Sequence, residues 1–325
     1  MLNVFHKKRG VVSKTNQYSS KEFSSQEFIW FDLVNPSSEE LVLVSEASKI
    51  PLVDLKDYSG SNERPKVYDE DDFSLIVFGA PHEQKRIHHG PHKNFEVETA
   101  SMSFFITKKK KVVTIRKQEF GAINRVYKKI EVKPNFMNSH VSLIHLILDE
   151  MLADFFHFLD TFDLDIDTVE NEVFKKAESA HINRIFRIKK SLIYFHKTLI
   201  ANREVITAIE KGYLAAFSKK ETLKFRDLYH DITQLIDSGE TLRDILTGII
   251  DIYLSSVSNN LNIVMKRLTV MASYILVPTL ISGVYGMNFK FMPELYWKYG
   301  YAFALITMIV SILAMRWYFK KESWL

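Results

Sequence analysis

Two uncharged apolar segments follow each other near the end of the chain. They run from Leu268 to Tyr285 and from Tyr299 to Met315, and contain 18 and 17 residues. A helix rises about 1.5 Å per residue and the bilayer's hydrocarbon core is about 30 Å thick, so each segment spans a membrane once its flanks are counted. A helical hairpin buried in a soluble core is the alternative. Two such segments in succession, with aromatic and basic flanks, favour the membrane.

Apolar residues also recur every three or four positions ahead of the first segment, from Leu228 to Leu268. This spacing predicts one helix from about Glu221 to Tyr285, roughly 100 Å long. No proline occurs at residues 135–277, which favours long helices throughout that region. A helix of this length needs neighbours, either from its own chain or from copies of it.

The beginning of the chain has a different pattern. Short runs rich in β-branched and aromatic residues, separated by proline and glycine, predict strands at residues 28–33, 73–78, 102–107 and 112–117. Residues 37–49 begin with serines ahead of two glutamates, which predicts a helix with a capping-type start.

These patterns divide the chain into three regions. We expect an α/β cytoplasmic domain at residues 1–135, followed by a cytoplasmic region of long helices and stalk at 136–264. A transmembrane hairpin at 265–325 completes the chain, with an outer loop at 286–298 and a basic cytoplasmic tail. The first transmembrane helix is expected to continue directly from the long stalk helix.

Charge adds the orientation of the hairpin. The basic residues that precede and follow the two segments are Lys266, Arg267, Arg316, Lys320 and Lys321, whereas the loop holds Lys290 and Lys298. This asymmetry predicts that both termini are cytoplasmic, in a cell (inner) membrane protein. The N-terminus has no apolar stretch of the signal-peptide kind, so none is expected. A formal net charge of +4 is too weak to indicate a nucleic-acid partner.

Composition excludes several classes of function. The chain has no cysteine, which excludes a disulfide framework and a thiolate metal site. No glycine-rich nucleotide loop, nucleophile triad or catalytic metal motif occurs. We therefore expect that the protein is not an enzyme.

An ordered set of motifs surrounds the loop between the two apolar segments. Around it stand Tyr285, Gly286-Met287-Asn288, Phe289, Met292-Pro293-Glu294-Leu295, Trp297 and Tyr299-Gly300-Tyr301. The segment at 255–269 and the ending at 320–325 belong to the same pattern. With these motifs the chain resembles the CorA family of divalent metal-ion transporters, chiefly of magnesium. Weaker similarity covers nearly the whole chain.

The resemblance implies a homopentameric funnel in the lipid bilayer, with the first spans around a central pore and the second spans outside. It implies Mg²⁺ influx driven by the membrane potential and gated by cytoplasmic Mg²⁺, with Co²⁺ and Ni²⁺ as further ions. Mg²⁺ gives up its inner waters reluctantly, so a receptor for the hydrated ion needs neutral oxygens at a distance. Five copies of the Asn288 amide oxygen, with the carbonyls of Gly286 and Met287, would form such a ring. Gly286 would permit a backbone turn, and Met287 would pack and hold the loop.

Below that ring, one stripe of the first span is expected to face the pore. Its members lie three or four residues apart, and so on one helix face: Asn262, Met265, Leu268, Ala272, Leu276, Thr279 and Gly283. An apolar stripe of this kind is also typical of simple helix packing. The resemblance implies narrow apolar rings at Met265, Leu268 and Leu276, which would gate by excluding water.

The resemblance also implies cytoplasmic regulatory magnesium sites at Asp227 and Asp251. The carboxylates that complete these sites are expected in a loop of the N-terminal domain, here residues 79–92. Glu83 is the one acidic residue of that segment. In the same segment, His88, His89 and His92 form either an ordinary surface loop or a site for Zn²⁺, Ni²⁺ or Co²⁺.

Two other functions remain open at the level of sequence. One is zinc transport, because the zinc branch of the superfamily carries a similar triplet, although the Met292-Pro293-Glu294-Leu295 loop favours magnesium. The other is a membrane-anchored metal sensor without transport. A plain anchor would have no reason for the Gly-Met-Asn triplet or for polar residues on the inner stripe.

Overall fold

The computed structural model describes residues 1–8, 11–15, 28–60, 62–84, 96–109, 111–175 and 178–324. The chain divides into two compact units. The first comprises Met1–Glu172 with Glu178–Ile249, and the second Val173–Ala177 with Ile250–Leu325.

The first unit is built on a sheet of seven strands. The strands are β1 (Leu2–Lys8), β2 (Val11–Thr15), β3 (Ile29–Val34), β4 (Lys66–Asp69), β5 (Phe73–Gln84), β6 (Glu96–Thr107) and β7 (Val112–Arg116). Their order in the sheet is β2-β1-β3-β7-β6-β5-β4. Only the pairing of β3 with β7 is parallel within this described sheet, with Phe31 opposite Val113.

The helices of the described chain belong to both units. They are α1 (Ser38–Ser48), α2 (Leu52–Gly60), α3 (Gly121–Val132), α4 (His140–Lys175), α5 (Ser179–Glu210), α6 (Lys219–Thr222), α7 (Arg226–Tyr285) and α8 (Gly300–Lys321). Short 3₁₀ turns lie at Pro134–Asn138, Leu223–Phe225 and Pro293–Tyr296. The N-terminus of α1 carries a capping box between Ser37 and Glu40, which confirms the start predicted from the serines and glutamates.

One core packs α1 and α2 against the sheet. Leu41, Val44 and Leu55 of these helices contact side chains that alternate along the central strands, such as Phe31 and Val113. The burial of large apolar side chains here supplies the main stabilisation of this layer.

A buried polar network ties α3 to the middle of the sheet. Asp32 on β3 is fully buried and pairs with Arg116 on β7, with Asp32 Oδ2 at 3.0 Å from Arg116 Nη2. Thr114 donates to Asp32 Oδ1 at 2.6 Å, and the Tyr127 hydroxyl of α3 donates to Asp32 Oδ2. Burial, together with the charge of Asp32, raises the pKa of Tyr127. The tyrosine therefore stays a donor, and the ion pair has its hydrogen bonds satisfied at the carboxylate.

A second charged contact fixes α4 against α3. Arg125 Nε donates to Glu150 Oε2 at 2.5 Å and Arg125 Nη2 donates to Asp154 Oδ1 at 2.6 Å, while Lys129 also pairs with Glu150. Burial of Glu150 opposes its ionisation, but the hydrogen bonds from Lys129 and Arg125 outweigh burial and lower the pKa of Glu150. These contacts fix the position of α4 relative to α3.

The structure confirms the mixed α/β beginning and the long helices that follow it. All four predicted strands are present as β3, β5, β6 and β7, although β5 and β6 are longer than predicted. The long helix begins at Arg226 instead of about Glu221, because residues 219–225 form α6 and a 3₁₀ turn. From Arg226 the helix continues without a break through Pro278 to Tyr285.

The second unit contains the two apolar helices. The end of α7 and all of α8 are long and apolar enough to cross a membrane, as the sequence predicts. The two helices contact each other away from the loop that joins them. There the ring of Tyr274 in α7 meets that of Phe319 in α8 edge-on, with centroids 6.1 Å apart. Phe319 stacks in turn on Trp324, and Lys266 lies 5.9 Å from the Trp324 ring centroid. The C-terminal tail thus contacts the start of the first span.

Asn202 docks α5 onto the sheet of the first unit. It is fully buried, its Oδ1 accepts the Gly79 N–H at 2.8 Å, and its Nδ2 donates to the Gly79 carbonyl at 2.9 Å. Strand β4 pairs with β5 only as far as Val77, opposite Lys66. The amide of Asn202 therefore takes the place of a neighbouring strand at Gly79.

We expect Asn202→Ala to destabilise the first unit. The change leaves the N–H and the carbonyl of Gly79 buried without partners, which costs about 3 kcal/mol and lowers the unfolding midpoint by about 5–10 °C. Thermal unfolding of the purified protein measures the shift. Asn171→Ala is the matched control, because Asn171 is exposed and donates only to the Asp167 carbonyl of its own helix. Equal midpoints for the two variants would contradict the docking role.

Candidate functional site

The Gly286-Met287-Asn288 triplet lies immediately after the last residue of α7. The Gly286 N–H donates to the Ser282 carbonyl at 2.9 Å, and the Met287 N–H to the Val284 carbonyl at 3.3 Å. A Cβ on Gly286 would lie 3.1 Å from the Ser282 oxygen. Among the described glycines, Gly212 is the one with positive φ. Gly286 therefore lies in a turn at the helix end that a Cβ would crowd, as predicted, although its φ is not positive.

The other two residues of the triplet are open to solvent within one chain. Met287 is half-exposed, and Asn288 is exposed. The Asn288 amide makes no hydrogen bond to another described residue, so both its oxygen and its nitrogen are available. Its position at the end of α7 places a neutral oxygen where the apolar helix meets the loop.

The loop after the triplet is closed by short backbone contacts. Its 3₁₀ turn contains Pro293, Glu294 and Leu295, preceded by Met292, whose carbonyl accepts the Leu295 N–H at 3.2 Å. A Cβ on Gly300 would lie 2.1 Å from the Glu294 carbonyl oxygen. Gly300 is thus required for the loop to reach α8. Gly300 belongs to the Tyr299-Gly300-Tyr301 motif, but no local pattern reveals this close contact with Glu294.

All seven residues of the inner stripe are exposed in the single chain. They are Asn262, Met265, Leu268, Ala272, Leu276, Thr279 and Gly283. The less exposed positions of the same helix segment recur with the same spacing on another face, at Val270, Tyr274, Pro278 and Ile281. The stripe is therefore part of a wide uncovered surface of α7, which also includes Met271, Ile275 and Leu280.

The apolar members of the stripe are largely exposed, as are other apolar side chains of the same segment. The exposed fractions are 58% for Met265, 59% for Leu268 and 68% for Leu276. Such surface is stable only against lipid or another protein surface. Thr279 differs, because its hydroxyl donates to the Ile275 carbonyl at 2.7 Å. Its oxygen lone pairs then remain to accept hydrogen bonds from water.

Asp227 lies in the first unit at the start of α7, beside His145 of α4. The imidazole Nε2 is 3.1 Å from Asp227 Oδ1 and 3.2 Å from Oδ2. Oδ1 also accepts the Leu228 N–H at 2.9 Å, which fixes the carboxylate. Both side chains line a cleft of about 770 Å³ that Asn135 and Ser142 also border.

Two further carboxylates surround this pair. Burial raises the pKa of Asp231, as does the charge of Asp227. Burial likewise raises the pKa of Asp149, and Glu150 and Asp231 add to that effect against His145 and Lys129. Asp149 and Asp231 thus add two carboxylates near Asp227, while Lys7, Lys133 and Lys224 border the same cleft. No group of three or more His, Asp or Glu side chains with metal-binding geometry occurs in the described part of a single chain.

The remaining regulatory residues are placed less fully. Asp251 is exposed on α7 and belongs to the second unit. The backbone of Glu83 lies in β5 opposite Val97. The expectation of a loop across 79–92 is wrong for its first six residues. Residues 79–84 are the end of strand β5, which pairs with β6 in a long hairpin. His88, His89 and His92 lie outside the described residues.

The structure thus brings together residues that the sequence analysis left apart. His145, Asp149 and Asp231 lie near Asp227, and none of the three was predicted as part of a site. A signal was present in their spacing, since His145 and Asp149, like Asp227 and Asp231, are four residues apart and share a helix face. What the sequence lacked was the pairing of α4 with α7.

Comparisons with known proteins agree along the chain. Residues 25–321 match the family model described as CorA-like Mg2+ transporter protein. The cobalt/magnesium transport protein CorA of Methanocaldococcus jannaschii is 31% identical over 306 residues, which cover 93% of each chain. That of Thermotoga maritima is 34% identical over 278 residues, covering 85% of this chain and 76% of the other. The complete structure of the CorA magnesium transporter from M. jannaschii matches 100% of this chain and 99% of its own, with a TM-score of 0.87 and 29% identity.

Proposed function

This chain belongs to the CorA family of Mg²⁺ transporters, and from that premise we propose that it is a homopentameric Mg²⁺ influx channel. The channel is gated by cytoplasmic Mg²⁺ and passes Co²⁺ and Ni²⁺ as secondary ions. The observation that carries the proposal is the uncovered stripe of α7, which runs from Asn262 to Gly283 and ends at the Gly286-Met287-Asn288 triplet.

Physical chemistry requires an oligomer for this function. Two helices per chain are too few to enclose a polar path through hydrocarbon, and an ion needs such a path. The exposed apolar residues of the stripe also need partners, which five copies of α7 around one axis supply. In this arrangement α8 lies outside the ring, and both termini lie in the cytoplasm, as the basic flanks indicate.

At the outer mouth, five Asn288 side chains form the receptor for hydrated Mg²⁺. The waters of the ion are hydrogen-bond donors, and amide and carbonyl oxygens accept them without stripping them off. The open amide of Asn288 supports this role. A neutral ring holds the ion weakly enough to release it inward, which conduction requires. The Thr279 oxygen accepts from the same waters further along the stripe.

Farther in, Met265, Leu268 and Leu276 form rings that close the path by excluding water. A narrow apolar ring dewets because no group on its wall replaces the hydrogen bonds that water loses there. Small separations of the five helices then rehydrate the ring and open the channel.

In the cytoplasm, Asp227 and Asp251 sense Mg²⁺. Carboxylates of neighbouring subunits repel one another when they are empty and are bridged when Mg²⁺ is bound. High internal Mg²⁺ thus holds the helices together and the pore closed. The exposure of the Asp227 side chain and the neighbouring carboxylate of Asp231 support this assignment.

We expect Asn288→Ala to reduce Mg²⁺ uptake into liposomes to background while the oligomer remains intact. The change removes five amide oxygens from the mouth but little packing surface, since Asn288 is exposed in the chain. Fluorescent-dye uptake, with native mass spectrometry for assembly, measures both quantities. Lys290→Ala, at an exposed position two residues away, serves as the control. Near-normal uptake by assembled Asn288→Ala protein would remove this residue from the selectivity role.

We expect Leu268→Asp to produce leak current at high internal Mg²⁺, where the wild-type channel is closed. A ring of carboxylates cannot dewet, so the constriction stays hydrated. Leu268→Met keeps the ring apolar and should stay closed. Electrophysiology of both variants across a range of internal Mg²⁺ provides the comparison, and an equally tight Leu268→Asp channel would place the gate elsewhere.

We expect the double change Asp227→Asn with Asp251→Asn to move inhibition to higher internal Mg²⁺, by about tenfold or more. The amides keep the shape of the side chains but remove the charge that Mg²⁺ neutralises. Protease protection of the cytoplasmic region over a Mg²⁺ titration should weaken in parallel. If protection and inhibition both match wild type, the sensor assignment is wrong, and the pore assignment is unaffected.

A further inference from the structure

The contact between His145 and Asp227 has the dimensions of one edge of a metal coordination shell. A metal–ligand bond of about 2.1 Å to each of two atoms places them about 3.0 Å apart at a right angle, and about 3.4 Å apart in a tetrahedron. The His145 Nε2 lies 3.1 and 3.2 Å from the two Asp227 oxygens. The two ligand atoms are therefore already as close together as a shared ion requires, and a rotation of the side chains would turn their lone pairs toward it.

The surroundings leave room for the rest of the shell. The Asp227 side chain is 63% exposed, that of His145 is 25% exposed, and both line the cleft of about 770 Å³. Waters, or groups of a neighbouring subunit, can fill the other coordination positions. Three lysines, Lys7, Lys133 and Lys224, border the same cleft. The Lys7 Nζ donates to the Pro134 carbonyl at 3.0 Å and also contacts Asn138.

The chain contains other histidine–carboxylate contacts, and they differ from this one. His181 meets Glu172 at 3.2 Å, but the same carboxylate also pairs with Arg184, whose fixed charge repels a metal ion. His196 and Glu240 are 3.8 Å apart, too long for a shared shell. Among the described residues, Asp227 has His145 as its one cationic or imidazole partner within salt-bridge distance.

The ligand type selects the ion. Mg²⁺ prefers oxygen and keeps most of its waters, whereas imidazole nitrogen suits Co²⁺, Ni²⁺ and Zn²⁺. A site made of one carboxylate alone discriminates little among divalent ions. The addition of one imidazole raises the affinity for the transition metals over Mg²⁺.

We propose that His145 and Asp227 together form a cytoplasmic regulatory site selective for Co²⁺ and Ni²⁺ over Mg²⁺. The inference rests on the proposed regulatory role of Asp227 and adds the ion preference of that site. Its consequence is that internal Co²⁺ closes the channel at a far lower concentration than internal Mg²⁺. Entry of Co²⁺ would therefore close the pore while internal Mg²⁺ is still below its own closing concentration.

The test uses the untagged full-length protein in detergent, at a fixed pH of about 8, where an ordinary imidazole is neutral. Protease protection of the cytoplasmic region is titrated with Co²⁺ and, separately, with Mg²⁺, and the visible spectrum of bound Co²⁺ reports nitrogen ligation. The variants are His145→Asn, His145→Asp and Asp227→Asn. His157→Asn is the control, since His157 is exposed on the same helix. His88, His89 and His92 are present in every variant, so any binding there cancels in the comparison.

We expect His145→Asn to weaken protection by Co²⁺ by about tenfold or more, with Mg²⁺ protection within about twofold of wild type. The Co²⁺ spectrum should lose its nitrogen-ligand contribution. His145→Asp supplies an oxygen in place of the nitrogen and should shift the preference toward Mg²⁺, so the test does not depend on loss of function alone. His157→Asn should match wild type in both titrations.

Two results would overturn the inference. One is a His145→Asn protein that binds Co²⁺ as wild type does. The other is a His145→Asn protein that loses Co²⁺ and Mg²⁺ protection to the same extent, which would make His145 a structural support of Asp227. Failure of the proposed function is a separate result, in which Asp227→Asn keeps wild-type Mg²⁺ protection whatever happens at His145.

Discussion

Within the second unit, helix α8 partly covers one face of α7 and leaves the rest of α7 exposed. The architecture of this unit depends on that one-sided contact. Val270, Tyr274 and Pro278 lie on the covered face, where Tyr274 meets Phe319 of α8. A helix repeats every 3.6 residues, so covering these positions leaves another stripe open over the whole span. The uncovered stripe consists of side chains that water cannot stabilise at Leu268 and Leu276 and of one that binds water at Thr279. A face with this mixture is suited neither to lipid alone nor to bulk solvent, and it fits the proposed ring of copies around a hydrated path.

The first unit is organised by a different constraint, which is the satisfaction of polar groups inside a packed layer. Asp32 and Arg116 are placed at the centre of the sheet, where a lone charge would be very costly. The carboxylate is stabilised by Thr114 and Tyr127 as well as by the guanidinium. Because Tyr127 lies on α3, the same network fixes α3 to the sheet, and Glu150 then fixes α4 to α3. The position of His145 on α4 follows from this chain of contacts.

The parts of the structure that were predictable from the sequence have a local cause. The predicted segments of β3, β5, β6 and β7 are short runs rich in β-branched and aromatic residues, and the helix at Ser38 begins with its own capping box. The strands β1, β2 and β4 were missed. Two of them carry polar residues such as Lys14 and Lys66 and lie at the edges of the sheet, where one-sided burial weakens the alternating pattern. The triplet at Gly286 was found by resemblance. The pairing of His145 with Asp227 was not predictable, because the two residues are 82 positions apart on different helices and no local pattern encodes their contact.

The two proposed ion sites call for opposite chemistry, and the residues at each agree with its task. At the mouth, an ion must be bound and released many times, so its ligands should be neutral and should touch its waters; a carboxylate at position 288 would hold a divalent ion too firmly for rapid conduction. At Asp227, the bound ion must persist long enough to change the packing of helices, and a charged ligand that replaces waters provides that stability. An imidazole beside this carboxylate makes the second site sensitive to ion type, because its nitrogen contacts the metal directly. Discrimination among divalent ions is therefore physically easier at Asp227 than at Asn288, where a shell of water conceals the identity of the metal.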